Sequence, residues 1–139
     1  MMDVENVREV LLAKENASEE TPFGPEVLVY KVGGKMFALL TIEEVPVRMN
    51  LKCDPERSLD LRDRYESIIP GYHMNKKHWN SLVLDQTLPE NLIQELIDHS
   101  YDLVFASLPK KVKEGERRII LRNFGAFHSK LRRGIRAPV

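Results

Sequence analysis

The chain contains one cysteine, Cys53, among 139 residues. A single thiol excludes a disulfide within the chain, and it excludes a zinc site built from paired thiolates. We therefore expect packing, without cross-links, to stabilise the fold. The remaining composition, 42% hydrophobic and 30% charged residues, is typical of one globular domain that can bury a sufficient core.

Long apolar runs are missing as well. No stretch approaches the roughly 20 apolar residues that a helix needs to cross a bilayer. The start, Met-Met-Asp-Val-Glu-Asn, is acidic and polar, whereas a signal peptide would be basic and then apolar. We therefore expect a cytoplasmic protein without a membrane partner. The sequence does not determine the oligomeric state, and a monomer is one of the states that it allows.

Signatures of catalysis and of metal binding are absent too. The sequence has no Gly-rich phosphate loop, no Walker sequence and no Gly-x-Ser-x-Gly turn. Cys53 is followed by Asp54, whose charge raises a thiol pKa, and His99 has the setting of a hydrogen-bonded structural residue in a helix. His73 and His78 lack a third ligand. We predict no enzyme, no cofactor and no metal.

Charge is distributed unevenly along the chain, although the net charge is zero. Residues 1–109 hold 11 basic and 19 acidic side chains, a net charge of −8, and residues 110–139 hold 10 basic and 2 acidic ones, a net charge of +8. Because phosphate backbones respond to cationic surface within about 10 Å, a nucleic acid should meet the C-terminal part first.

Two helices are predicted near the two ends of the first 109 residues. Apolar residues recur at helical spacing from Val4 to Leu11, with Asp3 as a possible N-cap, and again from Pro89 to Leu108. A short, mostly exposed helix should begin at Asp54-Pro55. The polar segment 15–25 ends in Thr-Pro-Phe-Gly-Pro and is predicted to be a structured loop.

Strands are predicted between these helices. Val27–Val32 and Lys35–Ile42 flank Gly33-Gly34, a pair that suits a tight hairpin, and Val47–Lys52 and Trp79–Leu84 continue the pattern. The strands follow one another too closely for parallel crossovers. We predict an α+β two-layer sandwich, with an antiparallel sheet of four or five strands and the N- and C-terminal helices on one face.

The segment from Pro70 to Asn80, Pro-Gly-Tyr-His-Met-Asn-Lys-Lys-His-Trp-Asn, combines aromatic, amide, imidazole and ammonium groups. Such groups bind nucleic acid, because ammonium groups neutralise phosphates, rings stack on bases and amides hydrogen-bond base edges. The structural alternative is that Tyr72 and Trp79 are core anchors, Asn75 shapes a turn and the lysines are solvated. The two interpretations can coexist.

Several longer motifs occur in order along the chain: Pro-Phe-Gly-Pro at 22–25, Val-Gly-Gly-Lys-Met-Phe-Ala-Leu-Leu at 32–40, Asn-Leu-Lys-Cys-Asp-Pro at 50–55, Ile-Pro-Gly-Tyr-His-Met-Asn-Lys-Lys-His-Trp-Asn at 69–80, Leu-Ile-Asp-His-Ser-Tyr-Asp-Leu-Val at 96–104 and Leu-Pro-Lys-Lys at 108–111. Together they resemble the MmcQ/YjbR family over about residues 3–113. The resemblance implies a small cytoplasmic bacterial protein with a frataxin-like (CyaY-like) fold. Members of that family are described as predicted DNA-binding proteins with a double-wing motif, so the resemblance also implies DNA binding.

The chain after Lys113 departs from the family pattern. We therefore divide it into a domain at 1–113 and a basic C-terminal extension at 114–139, in which Arg118 to Arg122 has the pattern of a strand. The extension is either an arm that binds phosphates or a basic segment that folds against the acidic domain.

Non-enzymatic DNA binding is the function that we predict. The candidate nucleic-acid-binding residues are Asn75, Lys76, Lys77, His78, Trp79, Asn80, Lys110, Lys111, Arg117, Arg118, Arg122, Lys130, Arg132, Arg133 and Arg136. One alternative is a small-molecule or peptide-binding domain with a pocket between sheet and loop. Its candidate residues are Phe23, Tyr72, His73 and Trp79. Another alternative is a protein-interaction module that uses a sheet edge or the extension.

Overall fold

A computed structural model describes residues 2–116 of the chain. The elements follow in the order α1 (Val4–Leu12), β1 (Ser18–Glu20), β2 (Val27–Val32), β3 (Lys35–Thr41), β4 (Arg48–Lys52), α2 (Pro55–Arg64), β5 (Ile68–Pro70), β6 (Trp79–Val83) and α3 (Glu90–Ser107). Residues 110–116 are also helical. Over residues 2–116, no helix is both long and apolar enough to cross a membrane.

The strands form one sheet in the order β1-β2-β3-β4-β6-β5, with antiparallel pairing between all neighbours. The predicted α+β sandwich is confirmed, but the sheet has six strands, where four or five were predicted. The two additional strands, β1 and β5, are three residues long and lie at the two edges. Neither carries the apolar alternation by which a strand is recognised in a sequence.

One face of the sheet is covered by α1 and α3, as predicted. Val7 and Leu11 of α1 and Ile97 of α3 are fully buried in the core cluster, together with side chains of the strands. Phe37 of β3 makes an edge-to-face contact with Tyr101 of α3, with ring centroids 5.3 Å apart. These contacts fix the long helix across the middle of the sheet.

Helix starts follow the predicted capping residues. The Asp3 carboxylate accepts a hydrogen bond from the Asn6 backbone N–H at 2.9 Å, and the Asn6 side-chain oxygen accepts one from the Asp3 N–H. At the start of α2, the Asp54 carboxylate accepts from the backbone N–H groups of Glu56 and Arg57. Each cap satisfies N–H groups that have no partner within the helix.

One end of the sheet brings together the β2–β3 hairpin and the loop between β5 and β6. The pairs Val32↔Lys35, Lys52↔Trp79 and Pro70↔Asn80 lie at this end, so the β2–β3 hairpin and the β5–β6 loop share it. Gly33 is in the left-handed region (φ +57°), and a side chain there would meet a Leu108 methyl group at 2.6 Å. Helix 110–116 therefore begins beside the hairpin.

Residues 117–139 lie outside the described residues. The predicted strand from Arg118 to Arg122 falls there, and so do the basic residues of the extension beyond helix 110–116.

Candidate functional site

The β5–β6 loop, residues 71–78, carries most of the predicted binding residues that lie within 2–116. Asn75 shapes the loop: its backbone carbonyl accepts from the N–H groups of His78 and Trp79, and its side-chain oxygen accepts from the N–H of Lys77 at 3.0 Å. This is the turn-forming role that the structural alternative gave to Asn75. The side chains of Lys76 and Lys77 in the same turn are exposed.

Gly71 closes the base of the loop against Trp79. A side chain at Gly71 would lie 2.8 Å from the Trp79 Cβ atom and 2.9 Å from its carbonyl oxygen. The Gly71 N–H donates to that same oxygen at 2.9 Å. Trp79 is half-buried, whereas Tyr72 is 54% exposed, so Tyr72 is not the core anchor that the structural alternative made it.

Arg62 of α2 holds the loop from the helical side. Its Nε donates to the Asn80 side-chain oxygen at 2.7 Å, and its Nη2 donates to the carbonyl oxygens of Trp79, at 3.2 Å, and Lys76. Asn80 is only 2% exposed. The prediction that Asn80 contacts a base edge is therefore wrong, because its amide is buried and bound to Arg62.

Asn50 and Ser81 hold the loop from the other face of the sheet. Ser81 Oγ accepts from the Tyr72 N–H at 2.9 Å and donates to the Asn50 side-chain oxygen, while Asn50 Nδ2 donates to the Tyr72 carbonyl at 3.3 Å. Both residues are buried, and they are direct cross-strand partners. Sequence reasoning missed this pair, although two polar residues in apolar strands were a signal.

Four predicted lysines are exposed at the same end of the sheet: Lys76, Lys77, Lys110 and Lys111. None of them forms an ion pair with another of the residues from 2 to 116. The β2–β3 hairpin and the β5–β6 loop are three strand spacings apart in the sheet, which is roughly 15 Å. The other predicted cations lie outside the described residues: Arg117, Arg118, Arg122, Lys130, Arg132, Arg133 and Arg136.

The predicted pocket residues fall into two groups. Phe23, Tyr72 and His73 line a concavity of about 610 Å³ on the sheet face that the helices leave open. Trp79, the fourth predicted member, does not line it; Trp79 is the first residue of β6 and pairs with Lys52. We name this concavity the open-face groove; its other lining residues are Val27, Met36, Leu39, Thr41, Glu43, Glu44, Arg48, Asn50 and Met74.

Arg48 is the cation of the open-face groove, and sequence reasoning did not single it out. Its guanidinium carbon lies 4.8 Å from the centroid of the Tyr72 ring. The Tyr72 ring in turn lies 4.0 Å from the ring of His73, whose backbone has a positive φ of 59°. The Arg48 Nε is buried and has no hydrogen-bond partner among the described residues.

Cys53 and His99 are the residues that the sequence analysis considered for nucleophilic or proton-transfer chemistry. Burial is the main cause that raises the pKa of the Cys53 thiol, with the charge of Asp54 adding a smaller contribution in the same direction. Burial also lowers the pKa of His99, and its Nε2 accepts from the Asp54 N–H at 3.2 Å. The hydrogen bond predicted for His99 is thus present.

Comparison with known proteins decides the family. The model of the family described as YjbR matches residues 12–103. The chain belongs to the YjbR family. The uncharacterised YbdF of Escherichia coli O157:H7 is 48% identical over 91 residues, which are 65% of this chain and 74% of YbdF. The uncharacterised YjbR of E. coli K12 is 28% identical over 113 residues, 81% of this chain and 96% of that protein.

Solved structures of related proteins share the fold of this YjbR-family chain. The crystal structure of Deinococcus radiodurans DR2400, described as a DUF419 domain, superposes with a TM-score of 0.78 at 41% identity, over 84% of this chain and 88% of DR2400. A Pseudomonas syringae protein superposes with a TM-score of 0.66 at 27% identity, over 74% of this chain and 99% of that one. The resemblance read from the motifs is confirmed.

Proposed function

We propose that this YjbR-family protein binds nucleic acid and does so without catalysis. The supporting observation is the group of exposed lysines, Lys76, Lys77, Lys110 and Lys111, that lie at one end of the sheet without ion-pair partners among residues 2–116. Unpaired ammonium groups are the groups that neutralise phosphates and release counterions.

The β5–β6 loop supports this proposal because hydrogen bonds limit the freedom of its backbone at Lys76 and Lys77. Arg62 binds the Lys76 carbonyl from one side, and Asn75 binds the Lys77 N–H from within the loop. A fixed backbone reduces the conformational entropy that is lost when the side chains are ordered on a ligand. Measured along the axis of a duplex, the roughly 15 Å between hairpin and loop spans about four phosphates of one strand.

The charge distribution limits where a polyanion can approach. Residues 1–109 are acidic, with a net charge of −8, so most of this surface repels a polyanion. Helix 110–116 begins with Lys110 and Lys111, and the sequence after it continues the positive charge. A nucleic acid would thus contact the hairpin end of the sheet, where the lysines lie, and the extension.

Base contacts have a small part in this proposal. Tyr72 is exposed enough to stack on an unpaired base, whereas Asn80 is buried and Asn75 is used by the loop itself. Phosphate contacts carry affinity but no sequence information. We therefore expect binding with weak sequence preference and a strong dependence on salt.

Catalysis is left out of the proposal because of the state of the reactive groups. The Cys53 thiol is buried with a raised pKa, which disfavours the nucleophilic thiolate. His99 uses its Nε2 as an acceptor for a backbone N–H. A buried thiol with a raised pKa and an imidazole whose Nε2 is already an acceptor are poorly suited to acyl or phosphoryl transfer.

Fluorescence anisotropy with labelled double- and single-stranded DNA over a series of salt concentrations tests the proposal. We expect affinity to fall steeply and log-linearly with salt. Removing residues 117–139, which leaves every described residue in place, should weaken binding and reduce the slope. An absence of binding at low salt would contradict the proposal, and unchanged binding after the truncation would remove the extension from it.

A further inference from the structure

The open-face groove is lined by none of the four exposed lysines, and Tyr72 is the one lining residue that it shares with the proposed nucleic-acid contact. Its floor consists of residues that point away from the helices, because Leu39 pairs with Asn50 and Thr41 pairs with Arg48 across β3 and β4. The β5–β6 loop forms one wall, and Phe23 with the segment after β3 forms the other. A volume of about 610 Å³ is in the range that holds a small organic ligand.

Arg48 is the polar group of the floor that lacks a partner. Its Nε is buried without a hydrogen bond, and no ion pair joins it to another residue of the described range. Its guanidinium makes a cation–π contact with Tyr72, which orients the planar group but satisfies none of its N–H donors. Its two terminal nitrogens are not buried and also have no hydrogen-bond partner among the described residues, and a carboxylate fits them because its two oxygens can accept two parallel N–H bonds.

The walls of the groove offer apolar contact. Phe23 is 69% exposed and Tyr72 is 54% exposed, and both line the groove, so their rings offer apolar surface to a ligand there. Leu39 on the floor and Met36 and Met74 at the sides are half-buried. Flexible methionines adapt to ligands of different shape.

The loop wall is formed in advance of any ligand. Asn50 and Ser81 bind both the N–H and the carbonyl of Tyr72, so the ring is held above Arg48. His73 occupies the left-handed region at φ 59°, a conformation that costs energy for a residue other than glycine. The backbone of this wall is therefore fixed at Tyr72 by hydrogen bonds from the sheet.

We propose that the open-face groove binds a small organic monocarboxylate with an apolar body. The carboxylate would accept hydrogen bonds from Arg48, and the body would lie against Tyr72, Phe23 and Leu39. Glu43 and Glu44 line the same groove and would repel further negative charge, so a monoanion fits better than a polyanion or a nucleic-acid strand. The site shares Tyr72 with the proposed nucleic-acid contact but none of its lysines, so the two proposals can be tested separately.

Titration of the ¹⁵N-labelled full-length protein with 4-phenylbutyrate, followed by amide chemical shifts, tests this site. We expect saturable shifts at Leu39, Asn50 and residues 72–74. The primary amide of the same compound has the same body without the charge and should bind at least about tenfold more weakly, since hydrogen bonds to charged groups are the stronger ones. Arg48→Gln should reduce the affinity for the acid to that for the amide.

Two further variants keep the test decisive if Arg48→Gln does not fold. Phe23→Ala removes an exposed ring, so it should weaken binding severalfold while the spectrum of the free protein stays largely unchanged. Lys76→Ala, outside the groove, should leave binding unchanged. Shifts that do not saturate, equal affinity for acid and amide, or saturable shifts confined to residues outside the groove would each overturn the proposal. DNA binding is measured separately, so failure of one proposal leaves the other intact.

Discussion

Arg62 donates from its Nε to the side-chain oxygen of Asn80 at 2.7 Å, and this bond joins helix α2 to the start of strand β6 below the lysine-bearing loop. Asn80 is 2% exposed, so its oxygen has no access to solvent as an alternative partner. The mostly exposed helix α2 therefore has a structural role, because it supplies the cation that fixes the base of the loop.

Arg62→Ala should lower the free energy of unfolding by about 1–3 kcal/mol, because the buried Asn80 oxygen loses its donor. Arg64→Ala is the matched control, since Arg64 lies on the same helix and forms an exposed ion pair with Asp60. Such a pair contributes less than about 1 kcal/mol. Urea denaturation of the two variants measures the difference, and equal losses would show that Arg62 does not clamp the loop.

Gly71→Ala should destabilise the protein by about 1–3 kcal/mol, because the new methyl group would overlap the Trp79 Cβ and carbonyl oxygen. Gly115→Ala serves as the control: nothing lies within 4 Å of a side chain there, and alanine is the better helix former by about 1 kcal/mol. Thermal denaturation should thus move in opposite directions for the two variants. A Gly71→Ala protein as stable as the parent would contradict the close approach of Trp79.

Ser100→Ala should cost about 1–3 kcal/mol of stability, because it leaves polar backbone groups without a partner inside the core. Ser100 is fully buried on α3, where its Oγ donates to the Phe37 carbonyl at 2.5 Å and accepts from the Lys52 N–H at 2.9 Å. Ser107→Ala, on the exposed end of the same helix, should have a much smaller effect. Chemical denaturation that finds similar losses would contradict this bridge between α3 and the sheet.

Glu19 should make part of the free energy of unfolding depend on pH in the acid range. The hydrogen bonds from Arg8 are the main cause that lowers the pKa of Glu19, and the Tyr30 hydroxyl contributes a further bond at 2.5 Å. A carboxyl whose pKa is lowered in the folded state stabilises the protein at pH values above its ordinary pKa of about 4.5. This contribution to stability is lost as the pH falls through the folded-state pKa.

Glu19→Gln should therefore flatten the acid limb of the stability profile below a pH of about 4.5. The control is Glu20→Gln, which removes the neighbouring carboxylate from an ion pair with Lys31 that is more exposed. Denaturation midpoints measured over decreasing pH distinguish the two variants. An acid limb of Glu19→Gln as steep as that of the parent would contradict the hydrogen-bonded role of Glu19.

The main elements of the fold could be predicted because each carries a local signal. Gly33-Gly34 between two β-branched segments indicated the hairpin, and Asp54-Pro55 indicated the start of α2. The edge strands β1 and β5 could not be predicted in the same way. Ser18–Glu20 is polar throughout and becomes a strand only because it pairs with β2, a tertiary effect that leaves no pattern in its own three residues.

The candidate sites were only partly predictable for a related reason. Lysines and aromatics in one segment indicated a binding loop, and Phe23, Tyr72 and His73 do meet in one groove. Asn80 was misassigned because strand alternation places it on the helical side, where Arg62 is its partner. Arg48 was missed because its significance depends on a missing hydrogen-bond partner, which a sequence does not display.

The charge-removal experiment on the loop tests the central claim most directly. Lys76→Gln with Lys77→Gln removes two exposed charges that have no ion-pair partner among residues 2–116, and Lys31→Gln with Arg64→Gln removes two that are paired with Glu20 and Asp60. DNA binding is compared by anisotropy over a salt series. We predict that the loop variant loses affinity and that its log–log salt slope becomes shallower by about 1–2, while the control changes little. Equal effects in the two variants, or none in either, would contradict a phosphate-binding role of this loop.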